Sequence, residues 1–180
     1  TPLPNSEDEN NKRMNKRVDV GDIEAFCIKG YYYANGSNGF PRDMDKALEL
    51  YHRAAELGDA FAYASIGYAY NNGEGVEVDE KKATYYYELA AMGGNVTARY
   101  NLGVSEENAG NYDKALKHYM IAVKGGCTNS GDVIRELYMD GHVAKDHYAN
   151  ALRSHQAYLN EIKSDQRDKA AAFHDDYRYY

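Results

Sequence analysis

The chain has 180 residues, a length that suits one domain, and its formal net charge is −7. An acidic chain with one small basic cluster lacks the grouped Lys and Arg that phosphate contacts need, so no nucleic-acid partner is expected. No apolar run approaches the ~20 residues that cross a bilayer, no signal peptide opens the chain, and Cys27 and Cys127 form no CxxC pair; membrane insertion, a zinc knuckle and a disulfide framework are therefore not expected, and a cytoplasmic setting is favoured.

Residues 1–20 form a flanking segment with helical character. Its basic cluster, Lys12, Arg13, Lys16 and Arg17, is balanced by Glu7, Asp8 and Glu9 and makes a solvated face. Residue 1 is Thr, so the chain is expected to begin inside a longer product. All three prolines precede residue 42, which leaves the remainder without the strongest helix breaker. From residue 22 the sequence repeats. Residues 22–58 align with 59–94: Gly30 over Gly67, Tyr33 over Tyr70, Asn35-Gly36 over Asn72-Gly73, Asp43 over Asp79, Ala47 over Ala83, and Ala54-Ala55 over Ala90-Ala91. The first copy has one extra loop residue. Residues 95–126 form a third copy with a shortened central loop, marked by Ala98, Leu102, Gly103, Ala115, Tyr119 and Ala122. Residues 127–163 form a degenerate copy acting as a cap, with Arg135 in place of the motif glycine and a charged helix over about residues 146–163. Residues 164–180 make a charged tail.

Each copy is expected to fold as two helices, A and B. In the second copy Ala62, Ile66, Gly67 and Tyr70 share one face of helix A. Asp79 is placed as the N-cap of helix B, whose inner face carries Ala83, Tyr86, Tyr87, Ala90 and Ala91. Gly93-Gly94 ends it. Gly67 and Ala83 are small because the two helices are expected to cross there. One hairpin cannot bury its own apolar face, whereas stacked neighbours can. Lys29 stands where Leu102 stands in the third copy, so the first A helix is expected to pack loosely.

The pattern A-x-x-x-L-G-x-x-Y, then N-G-x-G-V, then D-x-x-K-A-x-x-Y-Y-x-x-A-A-x-x-G resembles the Sel1-like repeat. It is carried by Ala62, Ile66 (for Leu), Gly67, Tyr70, Asn72, Gly73, Gly75, Val76, Asp79, Lys82, Ala83, Tyr86, Tyr87, Ala90, Ala91 and Gly94. The resemblance implies an all-α fold, an α-α superhelix of the TPR/Sel1-like solenoid kind, with about three full helix pairs and a C-terminal cap. It also implies a scaffold or adaptor that holds a protein or peptide in a concave groove lined by A helices, rather than an enzyme. By the geometry of that family the groove residues are Glu24, Tyr31, Asn35, Phe61, Tyr68, Asn71, Asn101, Glu107, Asp132 and Glu136. The set is polar with aromatic anchors and an acidic bias, which suits an extended peptide of basic character. Gly75-Val76-Glu77-Val78-Asp79, Gly110-Asn111-Tyr112 and the tail from Lys163 further resemble a repeat family of unicellular algae whose members often carry an upstream RING-like zinc finger. That likeness implies an alternative role, substrate recognition for a ubiquitin-ligase-like protein.

Other motifs point to ordinary structure. Asn72-Gly73-Glu74-Gly75 lacks a preceding strand and the Lys-Ser/Thr of a phosphate-binding loop, and is expected to be a turn. His52 and His118 occupy nearly equivalent helix positions, so repetition explains them better than metal ligation. His142 and His147, near Asp140 and Asp146, are expected in an exposed loop. Asn35-Gly36-Ser37 and Asn95-Val96-Thr97 fit the glycosylation pattern by chance. No cofactor, metal or small-molecule substrate is expected. Tyr31-Tyr32-Tyr33 and Tyr85-Tyr86-Tyr87 each span all helix faces, so one ring of each triplet must point away from the core.

Overall fold

The computed structural model describes residues 6–157 and 159–160, and among these every regular element is a helix. The helices in order are α1 (Ser6–Asp19), α2 (Ile23–Asn35), α3 (Met44–Glu56), α4 (Ala60–Asn72), α5 (Glu80–Met92), α6 (Val96–Asn108), α7 (Tyr112–Lys124) and α8 (Thr128–Met139). A further helical stretch covers residues 145–157. The tail over 164–180 and the end of the capping helix lie outside the described residues. The chain divides into two compact units, Thr1–Ala98 and Arg99–Tyr180.

In the first unit the helix starts are written in the turn chemistry. Asp22, Asp43, Asp59 and Asp79 each sit at an N-cap, and each side chain accepts the backbone N–H three residues on, at 2.7–3.2 Å. Asn95 does the same for Ala98 at 2.9 Å. Each bond satisfies one of the donors that a helix start leaves without an intrahelical partner. Helix α4 stops at Gly73, whose φ of 70° is left-handed and whose N–H returns to the Ala69 carbonyl. Helices α2 with α3, and α4 with α5, form the tight hairpins, and α3 packs on α4 to join them.

Small side chains explain the closeness. Ala25, Ala47, Ala54, Ala62 and Ala69 are buried beside Phe26, Leu48, Leu50, Tyr51 and Ile66 in one core. The motif glycines have a more particular partner than the sequence suggests. A Cβ on Gly30 would stand 2.8 Å from the Tyr51 ring, and one on Gly67 2.8 Å from the Tyr87 ring and 3.2 Å from the Ala83 carbonyl. Each glycine is thus a seat for a tyrosine from the B helix of its own hairpin. Lys29 has partners of its own in α2. It is half-buried, donates to the Asn15 side chain at 2.7 Å, and lies 5.8 Å from the centre of the Phe40 ring.

In the second unit Gly103 seats Tyr119 in the same way. Ala115, Leu116, Tyr119, Val123, Ile134, Leu137, Val143 and Ala151 form its core. Tyr138 of α8 stacks on Tyr148 at 4.6 Å between ring centres, which ties α8 to residues 145–157. Arg135, at the lost glycine position, is exposed and pairs with Asp132 at 3.4 Å.

Candidate functional site

The A helices of the first unit carry six of the ten groove residues expected from sequence. Glu24, Tyr31 and Asn35 lie on α2, and Phe61, Tyr68 and Asn71 on α4; all six are exposed. Tyr31 and Phe61 come together. With Cys27 and Ile28 they wall an apolar hollow of about 280 Å³ that opens to solvent. Tyr31 keeps 51% of its surface exposed, Phe61 45% and Tyr68 51%, unusual for large rings whose neighbours are packed. Phe61 is braced from beneath by Tyr51, edge to face at 6.2 Å. Asn35 turns back on its own helix and donates to the Tyr31 carbonyl at 2.8 Å. Glu24 is held by Arg17 at 2.6 Å, and the same guanidinium donates to Asp22 at 2.7 Å. That contact keeps the Asp22 carboxyl below the ordinary carboxylate range.

The other four lie in the second unit. Asn101 is half-buried on α6, and Asp132 and Glu136 are exposed on α8. Glu107 is half-buried and accepts the Tyr119 hydroxyl at 2.6 Å, so it acts first as a bracket for the seated ring. Burial and this bond together raise the Tyr119 hydroxyl well above its ordinary range.

Cys27 and Ile28 were not among the expected groove residues. Their signal was present, since Cys27 and Ile28 stand four and three positions before Tyr31, one helical turn away. Cys27 is 7% exposed and donates its S–H to Asp59 at 3.2 Å. Burial, with the Asp59 hydrogen bond, pushes its thiol up to about 12. At neutral pH it stays protonated and is a poor nucleophile. Alkylation of Cys27 in the folded chain is therefore expected to run at least about ten-fold slower than in the denatured chain, read by peptide mapping after timed iodoacetamide quenches. Equal rates would show that the thiol is not held in this way.

Among the described residues no group of three or more His, Cys, Asp or Glu side chains is placed to hold a metal ion, and no helix is long and apolar enough to cross a membrane. His142 is exposed after α8 and stacks on Tyr112 at 3.8 Å, while His147 lies in the helical stretch 145–157, not in a loop.

Glycine-seated helical hairpins with capped turns and an exposed aromatic face define a TPR-like helical repeat protein. Residues 30–59 and 60–95 match the Sel1 repeat family and are Sel1-like repeats. The solved Sel1 repeat protein from Oxalobacter formigenes superposes with a TM-score of 0.70 at 29% identity, over 87% of this chain and 64% of that one. A protective antigen of uropathogenic Escherichia coli strains with an SLR fold gives 0.69 at 28% identity, over 83% of this chain and 33% of that one. Chitin synthase regulatory factor 4 of Schizosaccharomyces pombe is 31% identical over 153 residues, 84% of this chain and 24% of that protein. The chain thus spans about a quarter of the length of that relative. The fold class is the all-α TPR/Sel1-like solenoid. Proteins of this kind are generally non-enzymatic scaffolds for protein interaction.

Proposed function

We propose that this chain is an adaptor that binds an extended peptide across the α2 and α4 face of its first unit. The apolar hollow between Tyr31 and Phe61 carries this reading. It has room for one aliphatic or aromatic side chain of the ligand, with exposed rings on its walls, and Asn71 and Glu24 are exposed elsewhere on the same two helices for polar contacts. Glu24 and a net charge of −7 favour a ligand with basic residues beside its apolar anchor. Asn101, Glu107, Asp132 and Glu136 extend the proposal to the second unit as separate contacts. No catalytic step is assigned to any residue. The ligase-like alternative rests on zinc ligands that would lie upstream of Thr1, and reading the upstream codons for paired CxxC motifs decides it.

Selection from a randomised peptide display library on the purified chain tests the main proposal. Selected peptides are expected to pair an apolar residue with Lys or Arg. Tyr31→Ala is expected to weaken their binding at least about ten-fold, since central aromatic anchors contribute about 2 kcal/mol or more. Its melting temperature should stay near that of the parent, because half of the ring is in solvent. Unchanged binding, or a loss of binding that merely follows a loss of stability, would refute the assignment.

A further inference from the structure

Three Asn-Gly pairs occur in the first unit: Asn35-Gly36, Asn38-Gly39 and Asn72-Gly73. Asn followed by Gly is the pair most open to cyclisation, because a glycine presents no Cβ to hinder the attack of its own backbone nitrogen. That attack needs the nitrogen to be released from other bonds. The three pairs differ sharply on this point. The Gly36 N–H donates to the Tyr32 carbonyl, and the Gly73 N–H donates to the Ala69 carbonyl, each as the cap of an A helix. The Gly39 N–H has no hydrogen-bond partner among the described residues. Asn38 is also exposed, and it is the one described non-glycine residue with positive φ, at 53°. Asn tolerates that left-handed conformation better than other side chains. Asn38 lies in the loop that is one residue longer in the first copy than in the second, where no second Asn-Gly pair follows the cap.

We propose that Asn38 is a built-in deamidation site of this protein, and that the helix caps shield the two neighbouring Asn-Gly pairs from the same reaction. The Gly39 nitrogen gives up its proton to solvent hydroxide and bonds to Asn38 Cγ. The C–N bond of the side-chain amide breaks and ammonia leaves, closing a five-membered imide. Water then adds to one of the two imide carbonyls. Opening at one gives aspartate, and opening at the other gives isoaspartate. The net change is amide plus water to carboxylate plus ammonium, with no redox step. The product gains one negative charge. In the isoaspartyl form the main chain gains one atom inside the turn closed by the Phe40 N–H and the Ser37 carbonyl at 3.0 Å. That turn positions Phe40, whose ring packs on Tyr32 at 6.0 Å and on Tyr33 at 5.1 Å.

The test is incubation of the intact folded chain in mildly alkaline buffer made with heavy-oxygen water, followed by peptide mapping. Asn38 is expected to convert at least about ten-fold faster than Asn35 and Asn72, because breaking a helix-end bond first costs a local opening of about 1.4 kcal/mol or more. Products at position 38 should be a mixture of aspartyl and isoaspartyl peptides, each carrying heavy oxygen. In a proteolytic digest, where the caps are gone, the three pairs should convert at similar rates. Asn38→Gln should remove the fast phase and leave the helix content unchanged. Conversion of Asn35 or Asn72 as fast as Asn38 in the folded chain would overturn the proposal. So would an Asn38 that stays intact while its digest peptide converts.

Discussion

Gly67→Ala is expected to destabilise the chain by about 1–3 kcal/mol, although Ala is the better helix former by about 1 kcal/mol. The added methyl has nowhere to go: it meets two carbons of the Tyr87 ring at 2.8 and 2.9 Å and the Ala83 carbonyl at 3.2 Å. Tyr87 cannot yield, because it is only 2% exposed. Tyr87→Ala alone should cost about 3–5 kcal/mol, as truncations of large buried rings do. The sign of the glycine substitution should then reverse. In the Tyr87→Ala background the ring contacts are gone and only the 3.2 Å approach to the Ala83 carbonyl remains, so the helix preference of Ala should make Gly67→Ala neutral or stabilising by up to about 1 kcal/mol. Urea unfolding of the four proteins completes the cycle. A parent background in which Gly67→Ala raises the midpoint would refute the seat.

Alkali should unfold the protein from near pH 9 upward. Three acids have their neutral forms favoured by the fold. Burial raises the Cys27 thiol from 9.0 to about 12 and the Tyr51 hydroxyl from 10.0 to about 12, and burial raises Tyr119 further still. A group whose folded value lies above its unfolded value contributes stability that is complete below the unfolded value. That stability is lost as pH rises toward the folded one. The melting temperature is therefore expected to stay level up to about pH 9, the unfolded thiol value, and to fall steeply above 10. Part of the tyrosinate absorbance should appear only with the loss of helix. Replacing Tyr51 and Tyr119 together by Phe should flatten the fall. It should also lower stability at neutral pH by about 1–2 kcal/mol, because Glu107 loses its donor. A melting temperature that does not change between pH 8 and pH 12 would refute this account.

Local chemistry was legible in the sequence because it acts over three or four residues. The repeat of Asp43 and Asp79 marked two helix starts, and Gly93-Gly94 marked an end. The tyrosine triplets sorted as helix geometry requires: Tyr85 is exposed, Tyr86 half-buried and Tyr87 buried. Contacts between helices were less legible. The crossing of Gly67 and Ala83 was legible, and the Ala83 carbonyl stands 3.2 Å from a Gly67 Cβ; that the Tyr87 ring, 20 positions away, fills the seat is a contact between helices, which periodicity does not report. At Lys29 the sequence offered no partner, and the structure supplies one in the Asn15 side chain of the flanking helix, which accepts from its ammonium. Glu107 was placed in a groove by register alone, and its bond to Tyr119 depends on a helix that register does not describe. The hollow beside Tyr31 depends on Cys27 and Ile28, two positions that a polar-face criterion passes over.

The caps at Asp59 and Asn95 reach beyond their own helices. Asp59 starts α4 through Ala62 and also takes the Cys27 S–H from 32 positions earlier. Asn95 starts the next helix through Ala98 and also donates to the Ala60 carbonyl, 35 positions earlier, at 3.5 Å. These two joints between successive repeats therefore have their own matched fittings, a thiol with a carboxylate at one and an amide with a carbonyl at the next. Repeats of this chain are consequently not interchangeable bricks. A module cut out and spliced elsewhere would strand half of a joint, so shuffling should succeed only where the cut carries both halves along.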